Sequence, residues 1–341
     1  MFVDTMENGV VVGIESTAHT LSIGSVDQKG SPSKSFSAFY RPDEGGIHPR
    51  EAADHHAEKA STLVKQLLES GITPDSVSAI AFSQGPGLGP CLRVGASVAR
   101  ALASKWKVPL VGVNHCVAHI EIGRQQCEMD DPVLLYVSGG NTQVIARRGD
   151  RYRVLGETLD IGIGNMLDKF ARGQELPFPG GPKIEKLASK WRADNMDSDL
   201  DDYTLPYAVH GMDLAFSGLL TAASRLVERG SELGAVCWSL QEHAFAACIE
   251  VAERAMAHTG KTELLLGGGV ACNNRIKQMG EIMAIERGAK SNAPAPQFCV
   301  DNGSMIATLG RLQVLNDGGI TFESSAVNQA LRTDETPISW D

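Results

Sequence analysis

Two histidines stand four residues apart in NHCVAHIEIG, residues 114–123. On a helix that spacing places His115 and His119 one above the other on the same face, close enough to share one ion. Neutral imidazoles at this spacing also pack in cores without a metal, so the pair alone leaves both readings open. A metalloprotease helix of the H-E-x-x-H type carries a glutamate after its first histidine to activate water. Here that position is Cys116. Further ligands would have to come from elsewhere, and two oxygen donors stand out. Tyr136 ends the strand pattern that feeds SGGNTQ, and Asp301 opens the helical pattern DNGSMIATLG, where a carboxylate suits the helix dipole. The plainer alternatives are a strand aromatic covering core for Tyr136 and a helix N-cap for Asp301. A mixed imidazole, phenolate and carboxylate set suits iron or zinc better than a purely hard cation. His55 and His56 are adjacent on a helical pattern, face different directions, and read as surface or packing residues.

Four glycine-rich loops offer a second kind of chemistry: ESTAHT (15–20), SGGNTQ (138–143), FPGGPKIEK (178–186) and GGGVACNN (267–274). Between a strand and a helix, such loops let backbone N–H groups approach an anion without side-chain obstruction, and the helix N-terminus adds favourable partial charge. One such loop alone also makes a plain turn. Four in this order, two of them in paired hairpins, match the way an actin-like ATPase fold clasps phosphates with one hairpin from each lobe. No G-x-x-x-x-G-K-[ST] is present, and no G-x-G-x-x-G lies in a Rossmann setting.

The elements that must position these residues follow from periodicity. Residues 10–27 read as strand, small-residue turn, strand, and residues 132–158 repeat that form with a third strand. Two copies of one supersecondary unit imply a duplicated α/β fold with two facing lobes. Between them lie a helix over EAADHHAEKASTLVKQLLESG, a strand VSAIAFSQ, the loop GPGLGPCLRVG and a helix over roughly 93–106. Later come a long, mostly buried helix over 234–260, the strand of ELLLGGGVACNN, and a helix beginning near Arg275. DNMDSDLDDY (194–203) lacks apolar periodicity and reads as a solvated loop.

The chain of 341 residues is 43% hydrophobic and 21% charged, enough for two cored lobes. No run of about 18 apolar residues is present and the first residues lack the pattern of a signal peptide, so the reading is a cytoplasmic protein without a membrane. Seven scattered cysteines form no C-x-x-C pair and read as small buried apolar residues. A net charge of -10 repels a nucleic-acid backbone, so any such role needs a local patch or partner subunits. The basic hairpin ARRGDRYR (146–153) reads as a solvated turn before it reads as an RNA contact.

The motifs IESTAHT, GPGLGPCLRVG, VNHCVAHIEIGR, YVSGGNTQV, LDIGIGNMLDKFAR, FPGGPKIEKLA, GMDLAFSGLLTA, GGGVACNNR, CVDNGSMIA and RTDE are spread along nearly the whole chain. In this order they resemble the tRNA threonylcarbamoyladenosine-forming transferases, in the archaeal and eukaryotic form that is the catalytic subunit of the KEOPS complex. The resemblance implies an actin-like (ASKHA) fold with a nucleotide cleft between the lobes, divided as 1–130, 131–322 and a C-terminal segment 323–341 packing back on the first lobe. It implies metal ligands at His115, His119, Tyr136 and Asp301, and nucleotide contacts at Tyr136, Val137, Ser138, Gly139, Gly140, Asp168, Gly181, Glu185 and Asn273. The implied cofactors are one divalent or trivalent metal ion, iron first and zinc or magnesium as alternatives, and ATP or threonylcarbamoyl-AMP. The implied partners are tRNA, a small kinase or ATPase subunit, a dimerising subunit and a tRNA-binding subunit. No general base is assigned. A nucleotide-binding scaffold without transfer chemistry and a zinc glycoprotease are the rival functions.

Overall fold

A computed structural model of the chain describes residues 9–42, 46–196 and 201–340. The chain divides into two compact units: 1–125 with 148–152 and 300–341, and 126–147 with 153–299. Part of the acidic stretch 194–203, residues 197–200, lies outside the described residues; Asp201–Tyr203 form a 3-10 turn.

The first unit opens with β1 (Val10–Glu15), β2 (Thr20–Val26) and β3 (Pro32–Phe39). After them come α1 (Pro49–Glu69), β4 (Val77–Gly85), α2 (Gly89–Trp106), β5 (Leu110–Asn114) and α3 (His115–Cys127). β1 and β2 are nearly continuous runs of β-branched and small residues, buried on both faces, as central strands of a covered sheet require. The sheet order is β3-β2-β1-β4-β5, with β1 antiparallel to β2 and parallel to β4. α1 turns Ala52, His56, Ala60, Leu63 and Leu67 inward at helical spacing. The helix expected from about residue 93 begins four residues earlier, at Gly89. Pro90 at its first turn fixes a helical φ where no N–H is needed, so seven of the eleven residues of GPGLGPCLRVG are helix rather than loop.

The second unit is built from β6 (Val133–Val137), β7 (Thr142–Arg148), β8 (Arg151–Glu157), α4 (Ile163–Gly173) and α5 (Gly181–Asp194). These are followed by the short strands β9 (Val209–His210) and β10 (Asp213–Leu214), then α6 (Ser217–Glu228), α7 (Leu233–Thr259) and β11 (Glu263–Gly267). It ends with α8 (Asn274–Glu286), β12 (Lys290–Asn292) and α9 (Pro296–Cys299). Its sheet runs β12-β11-β6-β7-β8. Read from the meander, that is third, second, first, then two strands beyond, the same order as in the first unit, so the repeated hairpin pattern is a repeated topology. α7 carries Val236, Leu240, Phe245, Val251 and Met256 into the core of this unit. No helix among the described residues is long and apolar enough to cross a membrane.

The helix α10 (Gly303–Asp317) belongs to the first unit and packs on β1, β2 and β4. Its first turn lies almost in the backbone of the hairpin: a Cβ on Gly303 would stand 2.1 Å from the Gly24 nitrogen, and one on Gly13 2.2 Å from the Gly303 oxygen. Only glycine permits such an approach.

Candidate metal centre and nucleotide loops

The chain leaves β5 and turns at once into α3. Asn114 makes that turn, its side-chain oxygen accepting from the N–H of Cys116 at 3.0 Å and of Val117 at 3.3 Å. The two histidines therefore lie on the first turns of a helix, both buried, with ring centroids 4.8 Å apart and planes at 83°. Asp301, just before α10, brings its Oδ1 to 3.6 Å from His115 Nε2 and 3.3 Å from His119 Nε2. Ligand atoms of the three residues lie within 4.8 Å of one another.

Asp301 is not the N-cap of α10. That place belongs to Asn302, whose side-chain oxygen accepts from the Met305 N–H at 2.9 Å, leaving the Asp301 carboxylate to face the histidines. Glu15, at the end of β1, escaped the sequence reading. It is fully buried, and its Oε2 sits 3.0 Å from His115 Nδ1 while its Oε1 accepts from the Thr17 N–H at 2.6 Å and the Thr17 hydroxyl at 2.5 Å. An acid closing the apolar run VVVGIE was the available signal. The carboxylate holds the Nδ1 proton in place, which directs Nε2 toward Asp301, the usual arrangement behind a ligating histidine.

The charges follow from this geometry. Burial works against a charged His115, but the charge and hydrogen bond of Glu15, with Asp301 behind them, push its pKa up to about 9. Burial lowers that of His119, against the hydrogen bond it donates to Asp301, and the neighbouring His115 adds to the lowering. Burial alone would raise Asp301, yet the hydrogen bond from His119 and the field of His115 hold it well below the usual carboxylate range. Two imidazoles and a persistently ionised carboxylate converging on one point fit a borderline divalent or trivalent ion. Cys116, where a metalloprotease keeps its glutamate, is buried and its thiol is pushed up to about 12 by desolvation, so it supplies no water-activating base.

Tyr136 lies in the second unit, buried on β6 just ahead of the turn expected to contact a nucleotide. There the expected residues fall into one connected set. β6 and β11 run parallel with Tyr136 beside Gly267, so their carboxyl ends stand together, the position at which open α/β sheets bind ligands. The turn after β6 receives the start of α4: the Gly164 N–H donates to the Ser138 oxygen and the Asn165 N–H to the Gly139 oxygen, both at 3.0 Å. Gly268 follows β11 at φ +89°, and a Cβ there would meet the Val137 oxygen at 2.4 Å. Asp168 accepts from the Gly180 N–H at 2.7 Å, Glu185 from the Asn274 N–H at 2.8 Å, and Asn273 caps α8 while its amide donates to Gln241 at 2.7 Å. FPGGPKIEK lies between two helices rather than between a strand and a helix: residues 178–180 follow α4 and residues 181–186 are already α5. Gly181 opens α5. Asp160, another residue the sequence reading passed over, accepts from the N–H groups of Phe216 and Ser217 at 2.9 Å each and so closes the start of α6. His56, read as a surface or packing residue, is a packing one: it is fully buried with Nε2 3.0 Å from the Ala18 oxygen.

Residues 34–308 match the family model described as TsaD, tRNA N6-adenosine threonylcarbamoyltransferase. The chain belongs to that family of transferases. The transferase of Thermococcus kodakarensis, named tRNA N6-adenosine threonylcarbamoyltransferase, is 53% identical over 337 residues, 97% of this chain and 100% of that one. A probable bifunctional tRNA threonylcarbamoyladenosine biosynthesis protein of Methanosarcina barkeri is 51% identical over 342 residues, and this chain spans 60% of its length. Among solved structures, T. kodakarensis HypF matches with a TM-score of 0.62 at 16% identity, over 94% of this chain and 49% of that one. The transferase thus has the α/β, actin-like fold read from its paired hairpins.

Proposed function

We propose that the chain transfers the threonylcarbamoyl group from threonylcarbamoyl-AMP to N6 of the adenosine adjacent to the anticodon in tRNAs that read ANN codons, releasing AMP. Family membership supports the class of reaction. The observation that carries the finer reading is the meeting of His115, His119 and Asp301 at one point. In this reading those residues hold one metal ion, iron before zinc or magnesium. Such an ion, when bound, supplies Lewis-acid stabilisation of charge developing on acyl or phosphate oxygens.

The remaining work falls to the chain itself. Glu15 keeps the His115 ring in one tautomer and orientation. In the second unit, Val137, Ser138, Gly139 and Gly140 contact the nucleotide, with the N–H groups of Gly139 and Gly140 turned to phosphate because that of Ser138 already donates to the Asn141 oxygen at 2.9 Å, and Tyr136, Asp168, Gly181, Glu185 and Asn273 orient the nucleoside. The N6 amine attacks the carbamoyl carbon, the bond from that carbon to the AMP phosphate oxygen breaks, and N6 gives up a proton. An aromatic amine is a weak nucleophile, so fixing both reactants and excluding competing water are the main contributions asked of the protein. The acidic chain, net charge -10, leaves much of the grip on tRNA to partners, read here as the kinase or ATPase, dimerising and tRNA-binding subunits of KEOPS.

The test is reconstitution with a threonylcarbamoyl-AMP synthase, the partner subunits, threonine, bicarbonate, ATP and unmodified tRNA, followed by nucleoside mass spectrometry. Threonylcarbamoyladenosine is expected only when the chain is present, and is lost in a folded His119→Ala variant. Full modification by that variant would remove the metal reading, and modification without the chain would remove the activity.

A further inference from the structure

Two of the seven cysteines lie together in the second unit. Cys272 closes the 3-10 turn Gly269–Cys272, one residue before the α8 cap Asn273, and Cys299 closes α9. The turn Gly269–Cys272 packs against α9, which makes the two thiols neighbours. Cys272 Sγ also lies 4.0 Å from the Pro296 oxygen, and Cys299 Sγ 3.2 Å from the Pro294 oxygen, so both sulfurs are held against one short segment. Cys272 is partly open to solvent and Cys299 is buried, which is the arrangement of an attacking thiol and a resolving one.

We infer that Cys272 and Cys299 form an oxidisable dithiol that closes to an intramolecular disulfide when the protein meets hydrogen peroxide. The Cys272 thiolate attacks one peroxide oxygen, the O–O bond breaks, and hydroxide leaves to become water. The resulting sulfenic sulfur is attacked by Cys299, which gives up its thiol proton, and a second water departs. Both electrons come from the two sulfurs and both are taken up by the peroxide.

The chemistry favours this pair over the other five thiols. The hydrogen bond from Cys299, helped by Lys277, brings the Cys272 thiol down to about 7. Burial instead pushes Cys91 and Cys127 up to about 11, Cys116 and Cys237 up to about 12, and Cys248 higher still. Since the thiolate is the reacting form, Cys272 reacts first. The inference stands on the geometry of the second unit and is independent of the transfer reaction.

The experiment treats the reduced, full-length chain with graded hydrogen peroxide, blocks remaining thiols by alkylation, and maps tryptic peptides by mass spectrometry. A cross-linked pair of peptides 262–275 and 291–311, lighter by two hydrogens than their sum and separated by dithiothreitol, is expected before any other cysteine is modified. Cys299→Ser is expected to leave Cys272 as a sulfenic acid that dimedone captures, and Cys272→Ser to leave Cys299 reduced. Oxidation of other cysteines while this pair stays reduced, or a Cys299→Ser protein that takes up no dimedone at Cys272, would overturn it.

Discussion

Replacing Glu15 by glutamine changes one atom beside the proposed metal centre and none of its proposed ligands. The site presents three donors to the carboxylate: the Thr17 N–H and hydroxyl on Oε1, and the His115 Nδ1 proton on Oε2. An amide has one accepting oxygen. Turned one way, its NH2 faces His115 and Nδ1 loses its acceptor; turned the other way, it faces the Thr17 N–H. Because Glu15 is fully buried, no water replaces the missing partner. Loss of such an orienting partner weakens metal binding by about 10- to 100-fold, or roughly 1.4 to 2.7 kcal/mol. Titration of the purified chain with Fe(II) or Zn(II) against a chromophoric chelator reads the affinity directly. His119→Ala, which removes a proposed ligand, is expected to lose more than Glu15→Gln. A Glu15→Gln protein with native circular dichroism and wild-type affinity would show that Glu15 does not orient the site.

Three further outcomes separate structural from functional roles. Asn302→Ala removes the cap of α10 and is expected to cost about 1 kcal/mol in urea unfolding with metal binding retained, whereas Asp301→Asn keeps the cap and loses the metal. Gly268→Ala places a Cβ 2.4 Å from the Val137 oxygen at a left-handed backbone, and a loss of about 2 kcal/mol or more in the same assay is expected. His56 is buried neutral, its pKa lowered by burial to about 4 from 6.5. The unfolded chain therefore binds the proton first, and stability present above 6.5 is lost as pH falls toward 4. From roughly pH 8 to roughly pH 5 that loss is about 2 kcal/mol. A His56→Gln protein, compared with wild type by chemical denaturation at both values, is expected to lose correspondingly less.

Much of the site was readable because it depends on local periodicity. The i, i+4 histidines, the apolar hairpin strands and the glycine turns each declare themselves within a few residues. Relations across the chain did not. That Glu15 would meet His115, a hundred residues later, is set by β1 and β5 flanking β4, which no window of sequence contains. Asp301 and Asn302 are both good caps, and only the backbone entering α10 decides which one turns inward. β3 alternates weakly because it is an edge strand with much of its surface exposed, and the sequence reading passed it over. FPGGPKIEK looks like a strand-to-helix turn because glycine and proline punctuate both kinds of junction.

The seating of α10 against Gly13 and Gly24 has a consequence for synthesis. The helix that covers β1 and β2, and the Asp301 that joins the two histidines, emerge from the ribosome only after the entire second unit has been made. Until then the earlier-made strands keep an apolar face uncovered, a state prone to aggregation, while the later-made unit has every residue it needs. The half translated first is therefore the half finished last, and a chaperone acting during translation has its natural client there.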